Sequence, residues 1–224
     1  MCRSQLNIAN NRLCGIWTEW EGLSEWERLS DVQKGTYTAE GIVAIAGALC
    51  VHGGLTSLDI SHNQIGGYYK DGDFGEIIYT PEGPKALADA LCINGVLTSL
   101  LLSDNSLKDE GISAICEAIK SNKDTKIASL DFHDNNVGRA GAHSVAAIMA
   151  VTGGLTSVSL LGNKFDMDDA SMLLKIKEEK PNLHTLCGLT HDETELNYRN
   201  HHYGPADAML IAAEIPVMGG LTSV

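Results

Sequence analysis

The fold is decided by a stretch that the chain repeats, LTSLDISHNQI at residues 55–65. The pattern returns as LTSLLLSDNSL at 97–107, IASLDFHDNNV at 127–137 and LTSVSLLGNKF at 155–165. Every copy has apolar residues at its positions 1, 4, 6 and 11 and an asparagine at position 9. Such repetition indicates stacked units, because one short unit cannot bury its apolar side alone.

The repeat predicts a single domain over residues 1–224. The starts at 97, 127 and 155 lie 30 and 28 residues apart, so the period is about 28 residues. In chain order, about six copies are predicted to begin near residues 3, 55, 97, 127, 155 and 193, with a stub at 221. The longer spacings predict insertions near 14–40, 66–82 and 183–192. Neither end carries an obvious polar capping repeat, so we expect the chain to be part of a longer protein.

Each copy changes its apolar period along its length. Alternation through Leu58 and Ile60 predicts a short strand. Apolar residues then recur at helical spacing, as in Ile112, Ile115 and Ile119. The asparagine at position 9 is predicted to be buried where the strand turns away from the sheet, because an amide can both donate to and accept from the free backbone groups.

The repeat resembles the ribonuclease-inhibitor-like class of leucine-rich repeats, which also occurs in NOD-like receptors and the Ran GTPase-activating protein. The resemblance covers nearly the whole chain. It implies an α/β fold, a right-handed, horseshoe-shaped solenoid with a parallel sheet on the concave side and helices outside. It also implies protein binding on the concave face or on the loops beside it. Since one fold hosts many functions, the resemblance is less specific for function.

The overall charge restricts the partners. The formal net charge is −13 and the sequence pI is about 4.9, so nucleic acid and anionic membranes would repel the chain. The longest apolar runs, such as 42–51, are too short for direct membrane insertion. We expect a protein partner with a neutral or basic surface in a hetero-complex. Surface acidity that serves solubility alone is the alternative.

The six cysteines do not predict a disulfide framework. Cys50 and Cys92 fall at the same point of neighbouring copies, and stacking would hold them about 10 Å apart, beyond the reach of a disulfide. Cys116 lies among helical isoleucines, as a small core residue would. These positions predict a reducing intracellular compartment, most simply the cytoplasm.

Alternate strand residues should point away from the helices and offer a binding face. Position 5 of the copies gives Asp59, Leu101 and Asp131, and position 7 gives His133 and Arg199. These five are predicted partner contacts, and a plain solvated sheet face is the alternative. Serine, histidine and aspartate all occur on this face, but a catalytic triad needs a closed pocket with an oxyanion hole. An open repeat surface therefore predicts no enzyme.

The first insertion holds all three tryptophans, Trp17, Trp20 and Trp26, at a spacing of about three residues with glutamates between them. This pattern favours a short acidic amphipathic helix that presents the indoles as anchors for a partner. The alternative is that the indoles pack back on the repeats and cover their end, because large exposed apolar patches are uncommon.

The second insertion carries further predicted contacts: Tyr68, Tyr69, Phe74 and Tyr79. Acidic residues at 71, 73 and 82 resemble the spacing of an EF-hand calcium loop. Glu76 stands where that loop needs glycine, so a hairpin-like aromatic loop is the stronger interpretation. His201 and His202 have no companions at zinc spacing and are expected to be solvated. No metal and no cofactor is predicted.

The sequence thus predicts a non-catalytic scaffold for protein–protein interaction, or a structural subunit of a larger assembly. The alternative is a regulator of a small GTPase or of another enzyme, acting through the repeat surface. This alternative follows from the resemblance to the Ran activator and requires a polar catalytic edge that the sequence does not locate.

Overall fold

The computed structural model describes residues 4–11, 13–19, 32–69 and 77–222. Its elements, in chain order, are β1 (Ser4–Asn7), β2 (Ile16–Glu19), β3 (Val32–Gly35), α1 (Glu40–Val51), β4 (Leu55–Asp59), β5 (Gly67–Tyr69), β6 (Ile77–Tyr79), α2 (Glu82–Leu91), β7 (Ser99–Leu101), α3 (Lys108–Ser121), β8 (Ser129–Asp131), α4 (Arg139–Val151), β9 (Ser157–Ser159), α5 (Met167–Glu178), α6 (Pro205–Glu214) and a 3-10 helix (Ile215–Val217). The fold is α/β.

Five of the strands form one parallel sheet in the order β1-β4-β7-β8-β9. The same template position pairs across each junction from β4 onward: Ser57 with Ser99, Ser99 with Ser129 and Ser129 with Ser157. Each helix from α1 to α6 packs against the next. The predicted α/β fold with a parallel sheet is therefore confirmed.

The core lies between the sheet and the helices. Strand residues at position 4, such as Leu58 and Leu100, are fully buried, whereas their neighbours on either side remain partly exposed. The helices contribute Ile112, Ile115 and Ile119 from one face of α3. Burial of one such side chain stabilises the fold by about 1.5–3 kcal/mol, so the alternating pattern is the main source of stability.

An asparagine ladder joins successive units at the ends of the strands. We use this name for Asn63, Asn105, Asn135 and Asn163. The Asn105 Nδ2 donates to the carbonyl of Ile60 in the preceding unit at 2.9 Å, and its Oδ1 accepts from the Asn63 amide at 3.0 Å. The Asn135 Oδ1 accepts in the same way from the Asn105 amide at 3.1 Å. The predicted burial and role of this asparagine are confirmed for Asn63, Asn105 and Asn135, whereas Asn163 is partly exposed and Asn11 is exposed.

The first insertion differs from its prediction. Residues Ile16–Glu19, which include Trp17, form strand β2, and β2 pairs antiparallel with β3. The predicted helix is therefore wrong at this position, because aromatic and β-branched residues such as Ile16 and Thr18 favour strand pairing. Trp20 and Trp26 lie outside the described residues.

The second insertion contains the antiparallel pair of β5 and β6, in which Gly67 pairs with Tyr79 and Tyr68 pairs with Ile78. A Cβ on Gly67, whose φ is +156°, would lie 2.3 Å from the Ile78 carbonyl oxygen, so the pairing needs glycine there. The predicted hairpin-like arrangement is confirmed for these strands. Tyr69 lies in β5, whereas Phe74 and residues 71–76 of the calcium-like pattern lie outside the described residues.

The last full unit also differs from its prediction. Thr185 and Cys187 bridge to Ser157 and Ser159 of β9, within the stretch that was predicted to be an insertion. The strand segment beside β9 therefore begins near residue 183, 28 residues after 155, in the stretch predicted to be an insertion. The predicted register between the copy at 193 and the stub at 221 is kept, because the Thr222 amide donates to the Thr194 carbonyl as the Thr98 amide does to that of Thr56. The ten extra residues follow the strand segment and do not precede it. Arg199, predicted on the sheet face, lies exposed in a turn.

Five cysteines lie among the described residues, and all are free thiols: Cys14, Cys50, Cys92, Cys116 and Cys187. Burial raises the pKa of Cys14 to about 11 and moves the pKa of Cys116 further upward still. Across the part of the chain that the structure describes, none of the helices combines the length and the apolar character that a membrane crossing requires.

Candidate functional site

The strand face is the exposed side of the parallel sheet, and we define it by the side chains at positions 3 and 5 of β4, β7 and β8. Register pairing places Asp59, Leu101 and Asp131 in one row across these strands. All three are partly exposed, and their role as partner contacts stays a prediction. Neighbouring strands lie about 4.8 Å apart, so the two carboxylates flank Leu101 at roughly that distance on either side.

A second polar row follows where the strands end. The His62 Nδ1 contacts the Asp104 Oδ2 at 2.8 Å, and the His133 Nε2 contacts the Asp134 Oδ2 at 2.8 Å. His62, Asp104 and Asp134 occupy the same template position and share positive φ values of 56°, 50° and 52°. This repeated left-handed turn directs the polar side chains to one edge of the sheet.

The residues after the strand segment at 185–187 place a group of aromatic rings against this edge. We call His133, Asp134, Tyr198, His201 and Tyr203 the ring corner. The ring centroid of Tyr203 lies 5.2 Å from that of His201, 5.4 Å from that of Tyr198 and 6.0 Å from that of His133. His201 is exposed and the other rings are partly exposed. The ring corner therefore offers aromatic and carboxylate groups side by side.

A buried carboxylate holds the ring corner in place. Asp207, which is 4% exposed, accepts hydrogen bonds from the Gly162 amide at 2.8 Å and from the Gly204 amide at 2.9 Å. It thereby ties the start of α6 to the end of β9. Gly162 has a φ of +71°, and a Cβ there would lie 1.8 Å from the Asp134 Oδ1. The positive φ and the nearby Asp134 carboxylate both favour glycine at this position.

Replacing Asp207 with alanine is expected to lower the free energy of unfolding by about 2 kcal/mol, because two backbone amides lose their acceptor. The same change should loosen the ring corner, since Tyr203 lies only four residues before Asp207. Chemical denaturation measures the first effect, and changes in the NMR signals of the tyrosine rings measure the second. Asp89→Ala on the exposed side of α2 is the control. Equal effects of Asp207→Ala and Asp89→Ala would show that the hydrogen bonds of Asp207 do not hold the ring corner in place.

The electrostatics of the ring corner centre on His133. The hydrogen bond to Asp134 raises the pKa of His133 above its usual 6.5, burial lowers it, and the charges of Asp134, Asp131 and Asp104 raise it further. Burial raises the pKa of Tyr198 to about 12, and burial together with the charge of Asp134 raises the pKa of Tyr203 as well. Both phenols are therefore neutral at physiological pH. The neighbouring carboxylates favour the protonated, positively charged form of His133.

The His133 pairing predicts a defined pH dependence. A folded-state pKa raised above 6.5 means that protonated His133 stabilises the fold fully below about pH 6.5, and that this contribution is lost as the pH rises through the raised pKa. An NMR titration of the imidazole should give a midpoint above 6.5. Asp134→Asn should lower this midpoint, because it removes the first cause of the shift. A midpoint that does not move in Asp134→Asn would show that the pairing is absent in solution.

Not all of the predicted contacts lie together. Asp59, Leu101 and Asp131 form the row on the strand face, and His133 lies in the ring corner. Tyr68 stacks on Tyr37 with the ring centroids 5.6 Å apart, in the second insertion and away from the ring corner. Two further predicted contacts of the insertions are placed by their strands: Trp17 in β2 and Tyr79 in β6.

The sequence did not identify Tyr198, His201 and Tyr203 as site residues. The predicted copy starting at 193 placed them at template positions of the core and the asparagine column, so their clustering on the strand ends was missed. The segment YRNHHY at 198–203 was the available signal, because two tyrosines and two histidines lie within six residues and aromatic side chains with a polar group are frequent at binding surfaces.

The chemistry that this surface offers is recognition of charge and of flat groups. Within the described residues, no three histidine, cysteine, aspartate or glutamate side chains lie close enough to hold a metal ion. Neither the comparison with protein-family models nor the comparison with curated proteins found a match for the chain.

Proposed function

We propose that the chain is a leucine-rich repeat solenoid of the ribonuclease-inhibitor-like class that works as a non-catalytic scaffold for protein binding. Three observations support the solenoid: strands that follow one another in chain order, helices that pack on their neighbours, and the asparagine ladder between units. In this arrangement the strand face is the concave surface.

The observation that carries the function is the row of Asp59, Leu101 and Asp131 beside the ring corner. It places two partly exposed carboxylates, an apolar side chain and several aromatic rings on one continuous side of the molecule. Apolar and aromatic anchors with charged neighbours are typical of protein interfaces. The row is open across three strands, which suits a partner surface better than a small substrate.

The partner is a protein with a basic or neutral surface, and the complex contains different chains. The net charge of −13 opposes association between two copies and favours a positively charged partner. The free thiols Cys50 and Cys92 are exposed, as suits a reducing intracellular compartment. The cytoplasm is the simplest such location.

The test compares the two sides of the molecule against one identified partner. Crosslinking of the whole chain in a cell extract, followed by mass spectrometry, supplies the partner, which is then purified. The double variant Asp59→Lys and Asp131→Lys is expected to bind the partner about tenfold or more weakly, because two positive charges would then face the partner's basic surface in place of two negative ones. Lysine at both Asp89 and Glu117, which are exposed on α2 and α3, makes the same charge change on the helical side and should leave binding unchanged.

Two results would reject this function. Equal losses in the two double variants would mean that overall charge, and not the strand face, controls binding. Faster GTP hydrolysis by a bound small GTPase, with the whole chain added in a turnover assay, would show a regulator of an enzyme instead of a scaffold.

A further inference from the structure

We infer that the ring corner binds the guanidinium group of an arginine side chain that the partner protein presents. This inference rests on the proposed function and names the chemistry of one contact within it. It follows from the charge balance of the ring corner, from the arrangement of its rings and from the way it is held in place.

The charge balance favours a cation. Three carboxylates, those of Asp104, Asp131 and Asp134, lie close enough to His133 to raise its pKa. The imidazoles of this edge are His62 and His133, which contact Asp104 and Asp134, and the exposed His201 of the ring corner. While His201 is neutral, the three carboxylates exceed the positive charge that His62 and His133 can carry, so the edge is negative. An anion such as a phosphate would be repelled.

The rings favour a flat cation. Tyr203 and His201 lie with their planes 36° apart, His201 is exposed and Tyr203 is partly exposed. A guanidinium group can stack on such a ring and at the same time donate two N–H groups to a neighbouring carboxylate. The side chain of Asp134 is 47% exposed, so an approaching donor can reach its carboxylate. A lysine ammonium could use the charge but not the stacking.

The ring corner is also fixed before a ligand arrives. Asp207 ties the loop that carries Tyr203 to the Gly162 amide, and His133 holds the Asp134 carboxylate at 2.8 Å. Groups that are already ordered lose little conformational entropy on binding. Neighbouring carboxylates of the strand face continue from this point, so a basic segment that reaches the ring corner meets Asp131 next.

The experiment uses the whole chain and three glycine–serine peptides of nine residues that differ only in the central residue: arginine, lysine or citrulline. NMR titration gives a Kd for each peptide from the shifts of backbone amide signals. The arginine peptide is expected to bind about fivefold more tightly than the lysine peptide, and the uncharged citrulline peptide should not saturate.

Two substitutions in the ring corner separate charge from stacking. Asp134→Asn and Tyr203→Leu should each weaken binding of the arginine peptide by about fivefold, and Tyr203→Leu should also abolish the preference for arginine over lysine. Asp89→Asn on α2 is the matched control for charge and should leave the Kd unchanged. His201→Ala repeats the test of stacking at an exposed position, where the fold is not at risk.

Equal affinities for arginine and lysine in the unmodified chain would overturn the inference. So would equal losses in Asp134→Asn and Asp89→Asn, because they would leave only a general effect of charge. If partner binding falls with lysine at Asp59 and Asp131 but not with Asp134→Asn or Tyr203→Leu, the scaffold function stands and the arginine site is rejected. If the arginine peptide binds as expected but partner binding changes neither with Asp59→Lys and Asp131→Lys nor with Asp134→Asn or Tyr203→Leu, the scaffold function on this face is rejected.

Discussion

Replacing Glu214 with alanine is expected to lower the free energy of unfolding by about 3–5 kcal/mol. Glu214 is fully buried at the end of α6. Its Oε1 accepts from the Leu186 amide at 2.6 Å, and its Oε2 accepts from the Thr185 hydroxyl at 2.7 Å. The carboxylate also contacts Lys177 Nζ at 3.5 Å and His191 Nε2 at 3.1 Å. Its removal would leave backbone donors and a largely buried ammonium group without their acceptor.

The strand segment at 185–187 explains why this residue matters so much. In the preceding units, backbone amides at the equivalent positions are directed to a neighbouring strand, whereas here the Glu214 side chain accepts from two of them, those of Leu186 and Cys187. Glu214 thus replaces part of a strand.

The free energy of unfolding from guanidinium titration tests this expectation. Glu117→Ala removes an exposed glutamate from α3 and should change stability by less than about 0.5 kcal/mol. Glu214→Gln keeps the shape and some acceptor capacity, and should fall between Glu214→Ala and the unmodified chain. A loss below about 1 kcal/mol in Glu214→Ala would show that this network contributes little.

Replacing Asn105 with alanine is expected to lower the free energy of unfolding by about 3 kcal/mol. Asn105 is fully buried, and its Nδ2 donates to the carbonyls of Ile60, Leu102 and Ser103 at 2.9, 3.0 and 3.2 Å. Its Oδ1 accepts from the amides of Asn63 and Ile65 at 3.0 and 3.3 Å. Alanine leaves these backbone groups unsatisfied where water does not reach them.

The chain offers its own control for this substitution. Asn11 occupies the same template position in the first unit, and its Nδ2 donates to the carbonyls of Ile8 and Ala9 at 2.9 Å each. Asn11 is exposed, so water can replace these bonds and Asn11→Ala should cost less than about 1 kcal/mol. Similar losses in Asn11→Ala and Asn105→Ala would show that burial does not control the effect. Thermal or chemical unfolding followed by circular dichroism gives both values.

The regular part of the fold was predictable because two kinds of sequence signal agree in it. Alternation through Leu58 and Ile60 sets the strand, and the asparagine at position 9 sets where the strand ends. Four consecutive copies repeat both signals, so the strand register followed from the alignment of the copies alone. In these copies the apolar residues at positions 1, 4 and 6 are buried as the pattern predicted, whereas Phe165 at position 11 is only partly buried and Leu161, predicted to face outward, is buried.

The prediction was wrong where one of the two signals was missing. The unit after β9 has no asparagine at position 9, so its ten extra residues could be placed before or after the strand segment. The apolar spacing favoured the copy starting at 193, whereas backbone pairing with Ser157 and Ser159 selected Thr185 and Cys187. The prediction of a helix at Trp17 was wrong for a related reason. A spacing of about three residues does not distinguish a helix from paired strands in a short segment.

The candidate site was predictable only in its strand half. Asp59, Leu101 and Asp131 followed from template position, since alternation decides which side chains face away from the helices. The ring corner depends on a contact between an insertion and the strand ends, 70 residues apart for Tyr203 and His133. Periodicity carries no information about such a contact, because it arises from the Asp207 bonds and not from the repeat.

The asparagine ladder also determines how the molecule opens. Because every ladder asparagine joins one unit to the one before it, an end unit detaches by breaking these bonds on one side only, whereas an inner unit must break them on both sides. Amide protons of β7 and β8 should therefore be the slowest to exchange with deuterium. Those of β1, whose four residues are all exposed, should be among the fastest.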